Sequence, residues 1–338
     1  MLLDIGLLIV GLVLILAGAN YMTDGSVGIA KRFGMSDFII GLTIVAMMTS
    51  APELVVSITS AINASPEMAI GNIVGSNIFN ILVIVGLTAM IKPIGVTQGI
   101  LINEIPLVIL SSVVLLVMGC SPWLDGGPMT ITRVDGILLL IFFVIFMRYT
   151  ISSARKVPEG PATEMSASGA GTATSESAEA TAKAPMPMWK AILITLGGLV
   201  GLIVGGQWFV DGASGIARGL GWSEGLIGLT ILAAGTSLPE LATSIVAATK
   251  GFPGMCLGNV IGSNIFNIFL VLGATATITP LSFGGIGVTD LVVLTVASLL
   301  FWLFGWFYKR RTITRAEGAL MLACYVAYII YLYLNLPS

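Results

Sequence analysis

Glu53 and Glu240 sit where a carboxylate is hardest to place. Each lies inside a long apolar run and each directly follows a proline, as TSAPE at 49–53 and TSLPE at 236–240. A proline removes one backbone donor, and its ring obstructs the carbonyl one turn earlier. The carbonyls near Thr49 and Ser50, and near Thr236 and Ser237, are thereby free to face inward. They are hard, neutral oxygen donors, and the glutamate adds a carboxylate at the same depth. Two carboxylates and several carbonyls form an oxygen cage. Such a cage suits Ca²⁺, which takes about 6–8 oxygens, and also Na⁺, which is similar in size. A buried pair with Lys or Arg would be the plain alternative, but neither apolar span (37–64 and 223–249) holds a basic residue. A protonated filler is the other alternative. An ionisable group inside a membrane is costly enough that function is its default reading. Either proline alone would read as a kink; its adjacency to Glu, twice, makes the signal specific.

A second pair of motifs follows, GNIVGSNIFNI at 71–81 and GNVIGSNIFNI at 258–268. Ser76 and Asn80 are four apart and share a helix face, as do Ser263 and Asn267. Both pairs are expected to face the glutamates. Asn72, Asn77, Asn259 and Asn264 fit equally well as ligands or as interhelical hydrogen-bond glue. Asp24 and Asp211, near Lys31 and Arg218, read as helix-end or gate residues. Glu104 and Asp290 lie near helix starts, where an acid complements the helix dipole, and read as structural.

The elements that position these residues are apolar helices. The chain has 338 residues, of which 56% are hydrophobic and only 9% charged. Soluble domains are about a quarter charged, so this composition specifies an integral membrane protein. Ten apolar segments, at roughly 3–30, 37–64, 67–92, 99–119, 132–152, 188–218, 223–249, 254–279, 286–308 and 313–335, are long enough to cross a bilayer as helices. The N-terminus lacks a basic leader region and reads as the first of them. Residues 153–187 are rich in Ala, Ser, Thr, Gly and Pro without apolar periodicity, which predicts a disordered linker.

The two flanking halves, 1–152 and 188–338, are copies. Segment 18–93 aligns with 205–280 without a gap, and 38 of the 76 positions are identical. Five helices per half is an odd number, so the second half enters the membrane from the opposite side. Basic residues agree with this. With the linker in the cytoplasm, thirteen Lys and Arg lie on the inner side and only Arg133 and Arg218 on the outer. Both termini are then extracellular. The predicted fold is an all-α multi-pass cell-membrane protein of ten transmembrane helices. They form two inverted five-helix repeats, with helices two, three, seven and eight broken near the midplane. Inverted repeats with broken helices around a midplane site are the design of secondary transporters.

Other function classes find little support. There is no histidine, which removes Ser-His and Cys-His catalysis and the commonest zinc ligand. Cys120, Cys256 and Cys324 are far apart and odd in number, so they read as free thiols. No basic patch suggests nucleic acid, and no enzyme activity or resident cofactor is expected. The lipid bilayer is the only partner the composition implies.

At its motifs the chain resembles the cation/calcium exchanger superfamily, and within it the prokaryotic sodium/calcium exchanger branch. That family carries G-T-S-x-P-E and G-N-x-x-G-S-N/C-x-x-N/D in each repeat. Here they read MTSAPE with GNIVGSNIFN and GTSLPE with GNVIGSNIFN. The resemblance implies Na⁺/Ca²⁺ antiport by alternating access, with no cofactor beyond the transported ions. It implies ligands at Thr49, Ser50, Glu53, Ser76, Asn80, Thr236, Ser237, Glu240, Ser263 and Asn267. It also implies that the Ala46 and Ala233 carbonyls help bind sodium, and that helices one and six slide to switch access. Met48 departs from the family's Gly, and positions 80 and 267 are both Asn where several members have one Asp. A proton-coupled or other divalent-cation exchanger is the alternative, and a cation channel a more distant one.

Overall fold

The computed structural model describes residues 1–63, 65–124, 126–154, 186–221, 231, 233–307 and 311–334. The central part of the linker (155–185) and most of the first half of the seventh span lie outside them. Among the described residues nine helices are long and apolar enough to cross a membrane. They are α1 (Leu2–Phe33), α2 (Asp37–Ile62), α3 (Pro66–Ile91), α4 (Ile100–Gly119), α5 (Arg133–Ala154), α6 (Met188–Gly219), α8 (Pro253–Ile278), α9 (Val288–Phe307) and α10 (Arg315–Leu334). Between α6 and α8 runs the shorter apolar helix α7 (Leu238–Thr249). Helices dominate because a spanning segment must pair its backbone groups within itself.

Local signals set the boundaries. The Ser36 hydroxyl caps α2 by accepting from the Ile39 amide at 3.3 Å. Pro66 and Pro253 open α3 and α8, where a missing N–H costs nothing. Gly34 closes α1 in the left-handed region, φ 62°, and Gly221, its counterpart in the second half, has φ 85°. An L side chain at either would be strained.

The most buried helices are α3 and α8. Of the most apolar window of each, 78% and 94% is buried, against 22% for α1 and 28% for α6. The motif helices therefore form the core, and α1 and α6 flank it together. These two run antiparallel. Gly11 packs on the backbone at Gly205 and Phe209, Gly18 on Gly198 and Leu202, and Gly25 on Ala191 and Thr195, so one chain rises as the other falls. A Cβ on Gly18 would lie 2.7 Å from both Gly198 O and Leu202 N. Small residues let membrane helices approach to backbone contact. The glycines at 11, 18 and 25 recur as 198, 205 and 212, in the register of the duplication. Antiparallel packing of equivalent helices is what an inverted duplication requires.

The halves are also interlaced. Helix α5 of the first half packs on α8 of the second. Gly136 lies against Gly273, and Phe143 and Phe146 stand edge-on to Phe266. Helix α10 packs on α3 in the same way, with Gly318 against Gly86 and Tyr325 edge-on to Phe79. Two short antiparallel ladders tie the corners. Strand β1 (Ile94–Gly95) pairs with β4 (Thr312–Ile313), and β2 (Thr130–Ile131) pairs with β3 (Leu281–Ser282).

The heads of α5 and α10 carry related sequences, TITRVDG at 130–136 and TITRAEG at 312–318, in a register that differs from that of the motifs. An ungapped comparison hides this, so the duplication extends further than 18–93 suggests. In each head the acid three residues on reaches back to the threonine before the helix, and in the first the Asp135 amide also donates to Thr132 Oγ1 at 3.3 Å, a full capping box. Thr132 N and Oγ1 donate to Asp135 Oδ2 at 2.8 and 2.7 Å, and Thr314 N and Oγ1 donate to Glu317 Oε2 at 2.6 and 2.9 Å. Thr314→Val should cost about 1 kcal/mol, which lowers the apparent melting midpoint in detergent by about 1–2 °C. Thermal unfolding followed by tryptophan fluorescence measures this, and an unchanged midpoint would deny the cap a stabilising role.

Candidate cation-binding site

The helix breaks fall where the prolines predict. In α2 the helical turn Ala46–Thr49 ends at Ser50, with φ −82° and ψ 4°, and Pro52 is the second residue of the piece that resumes at Ala51. Before α7 the same happens at Ser237, φ −90° and ψ 6°, with Pro239 second in the resumed helix. Glu53 and Glu240 thus stand in the first turn of their pieces, at the positive end of a helix dipole. In α3 and α8 the interruption takes another form. The α pattern widens into π-helical stretches at Asn80–Val85 and Phe266–Leu272. Such stretches alter which backbone groups pair and often accompany functional sites.

The structure buries the candidate residues together. Thr49, Ser50, Glu53, Ser76, Asn80, Ser237, Glu240, Ser263 and Asn267 are all at most 3% exposed, and Thr236 is half-buried. Hydrogen bonds cross between the halves in symmetric pairs. Ser50 Oγ donates to Glu240 Oε1 at 3.2 Å, and Ser237 Oγ donates to Glu53 Oε1 at 3.4 Å. Each serine therefore serves the other repeat's carboxylate. Thr49 Oγ1 donates to Asn259 Oδ1 at 3.2 Å, and Thr236 Oγ1 donates to Asn72 Oδ1 at 3.1 Å. Ser76 and Thr236 are 3.5 Å apart through their hydroxyls, which brings α3 to the break before α7. Asn267 Nδ2 donates to Asn77 Oδ1 at 3.2 Å, joining α8 to α3.

Several oxygens here are buried without a partner among the described residues. They are Glu53 Oε2, Glu240 Oε2, Asn80 Oδ1, Ser263 Oγ, Asn264 Oδ1 and Asn267 Oδ1. Buried polar atoms are almost always hydrogen-bonded, because an unmade bond leaves the desolvation cost uncompensated. A cluster of unpaired oxygens, two of them carboxylate, can accept a desolvated cation. No basic side chain answers the glutamates among the interactions above.

The sequence leaves Asn72 and Asn259 between ligand and glue, and in the structure they bridge helices. Asn72 Nδ2 donates to Ser57 Oγ at 3.1 Å, and Asn259 Nδ2 donates to Ser244 Oγ at 3.0 Å. Ser57 and Ser244 are absent from the sequence candidates, although they too are equivalent positions of the two repeats. Asp24 pairs with Lys250 at 2.7 Å, which joins α1 to the end of α7. Asp211 accepts from Gln207 within α6 at 3.1 Å. Asp290 has the structural role expected, accepting from Gly287 N and Tyr328 Oη, both at 2.8 Å. Met48 is half-buried and packs on the hydrophobic core.

The sequence and the fold recur in known proteins. The family model of the sodium/calcium exchanger protein matches residues 3–152 and 190–334, both halves and all ten spans. The chain belongs to this family. A relative called putative antiporter CaxA, from Alkalimonas amylolytica, is 38% identical over 95% of each chain. The sodium/calcium exchanger MaX1 of Methanosarcina acetivorans is 31% identical over 97% of each. A structure of the sodium-calcium exchanger NCX_Mj, soaked with Na⁺ and Ca²⁺, superposes with a TM-score of 0.79 at 32% identity and covers the whole of both chains. Its inverted-repeat fold is the fold described above. This exchanger is therefore a multi-pass membrane antiporter for cations, and the buried oxygen cluster is a candidate site for them.

Proposed function

We propose that this exchanger moves Ca²⁺ one way across the membrane in return for Na⁺ moving the other way, by alternating access to one site. The observation that carries this reading is the pair Glu53 and Glu240, buried, related by the duplication and each hydrogen-bonded by a serine from the opposite half. The site ligands are Thr49, Ser50, Glu53, Ser76 and Asn80 with Thr236, Ser237, Glu240, Ser263 and Asn267. Two ionised carboxylates balance one Ca²⁺ or two Na⁺, and the neutral oxygens can hold further Na⁺ without taking up protons. Both ions seek hard oxygen donors. MaX1 and NCX_Mj, which bear sodium and calcium in their names, support the same choice of ions. No enzymatic step and no resident cofactor enter this reading.

A site shared by two ions predicts competition. In detergent, raising Na⁺ at constant ionic strength should weaken apparent Ca²⁺ affinity without reducing the number of sites, and more steeply than one-for-one. Calorimetric Ca²⁺ titrations at several Na⁺ concentrations test this. Ca²⁺ binding indifferent to Na⁺ would overturn the shared site.

Two five-helix repeats, 1–152 and 188–338, with a cytoplasmic linker at 153–187 and both termini outside, complete the proposal. The distribution of Lys and Arg supports this orientation. A cysteine placed at position 170 should react with impermeant thiol reagents only from the cytoplasmic face, and one at Ser338 only from outside. Labelling of both from one face would break the arrangement.

A further inference from the structure

We infer that Asn72 and Asn259 are positioning residues that turn the hydroxyl oxygens of Thr236 and Thr49 toward the cation, an inference that rests on the site proposed above. A threonine hydroxyl has one proton and two lone pairs. It serves a cation only when the proton is engaged elsewhere. Thr49 Oγ1 has three acceptors in reach, Asn259 Oδ1 at 3.2 Å, its own helix's Ala46 O at 3.3 Å and the Glu240 carboxylate, which a bound cation would engage instead. Proton donation to Asn259 leaves the Thr49 lone pairs for the ion and releases the Ala46 carbonyl as well. Thr236 Oγ1 donates to Asn72 Oδ1 at 3.1 Å.

The asparagines can take these protons because their own amides are held on the other side. Asn259 Nδ2 donates to Ser244 Oγ at 3.0 Å and to Glu240 O at 3.3 Å. Asn72 Nδ2 donates to Ser57 Oγ at 3.1 Å and to Glu53 O at 3.5 Å. An amide whose NH₂ is fixed presents its oxygen at the opposite end. Each asparagine therefore grips the helix turn that carries one glutamate and accepts from the threonine that precedes the other. Asn259 is fully buried, and the same contacts occur twice around the pseudo-twofold axis. Ordinary interhelical glue has no need to fix the donor direction of a ligand hydroxyl in both halves.

A double-mutant cycle on the full-length protein, read as Ca²⁺ binding in detergent, tests this. Thr49→Val and Asn259→Ala should each raise the half-saturating Ca²⁺ about 10-fold, as loss of one polar contact to a charged group does. Together they should still raise it about 10-fold, because Asn259 acts through Thr49. Independent effects would multiply to about 100-fold, and that result, or an unchanged affinity in N259A, would overturn the inference. An unchanged affinity in T49V would instead remove Thr49 from the site, and a wild-type protein that binds no Ca²⁺ would remove the site itself. If N259A does not fold, N72S with Thr236→Val runs the same cycle in the other half and decides it.

Discussion

Glu53→Gln and Glu240→Gln should each reduce Ca²⁺ transport at least about 100-fold. Removing one partner from a buried set of charges costs about 3–5 kcal/mol, and about 1.4 kcal/mol is a factor of ten. Here the lost charge is one of two that answer a divalent ion. Glutamine keeps the size of the side chain and an oxygen for the serine that crosses from the other half. The fold should survive. In ion-free detergent the variants should melt at or above the wild-type temperature, because two fully buried carboxylates no longer face each other without a cation. Added Ca²⁺ should raise the wild-type midpoint, as any ligand that binds only the folded state does, and leave the variants unmoved. Ca²⁺ flux near wild type in either variant would remove the glutamates from the site.

Gly18→Leu and Gly205→Leu should have the next largest effect. A Cβ on Gly205 would lie 2.8 Å from Gly11 O and Ile15 N, and one on Gly18 would lie 2.7 Å from two backbone atoms. Backbone cannot yield as a side-chain tip can. The helices must separate, with an overpacking cost of about 1–3 kcal/mol or more. If α1 and α6 slide as one unit over the α3–α8 core, forcing them apart also uncouples the movement. Transport should fall to below about a tenth of wild type, with a melting midpoint lower by about 1–2 °C for each kcal/mol. Gly197→Leu is the control, since nothing lies within 4 Å of a Cβ there, and both quantities should stay unchanged. Equal losses in Gly197→Leu and Gly18→Leu would show that the effect is general to these helices.

Much of this was legible in the sequence because the chemistry was written twice. A Pro-Glu pair inside an apolar run is expensive, and its recurrence in the second half, in ungapped register, excludes accident. Glu53, Glu240 and their serines could be named on that ground. The odd helix count then made the repeats antiparallel, which the glycine ladder of α1 and α6 bears out in space. Other features depend on geometry that no linear pattern carries. That Ser50 serves Glu240 and Ser237 serves Glu53 follows from how the halves interlock, since each serine is far nearer in sequence to its own glutamate. Asn72 and Asn259 could be seen to recur, but their role depends on which way each amide points. The exchange of α5 and α10 between halves was hidden by the change of register between the motifs and the heads of those helices. The π-helical stretches of α3 and α8 left no mark, because apart from Asn80 and Asn267 those segments are apolar and have no periodicity to disturb.

The central claim is that Na⁺, acting at the Glu53–Glu240 site, drives Ca²⁺ across the membrane. It is tested most directly by Ca²⁺ release from loaded proteoliposomes under one gradient at a time. External Na⁺ at equal pH on both sides should release Ca²⁺ from wild-type vesicles and not from Glu53→Gln vesicles. A pH gradient in Na⁺-free choline medium should release none. Release driven by the pH gradient alone and unaffected by Na⁺ would contradict the account and make protons the coupling ion.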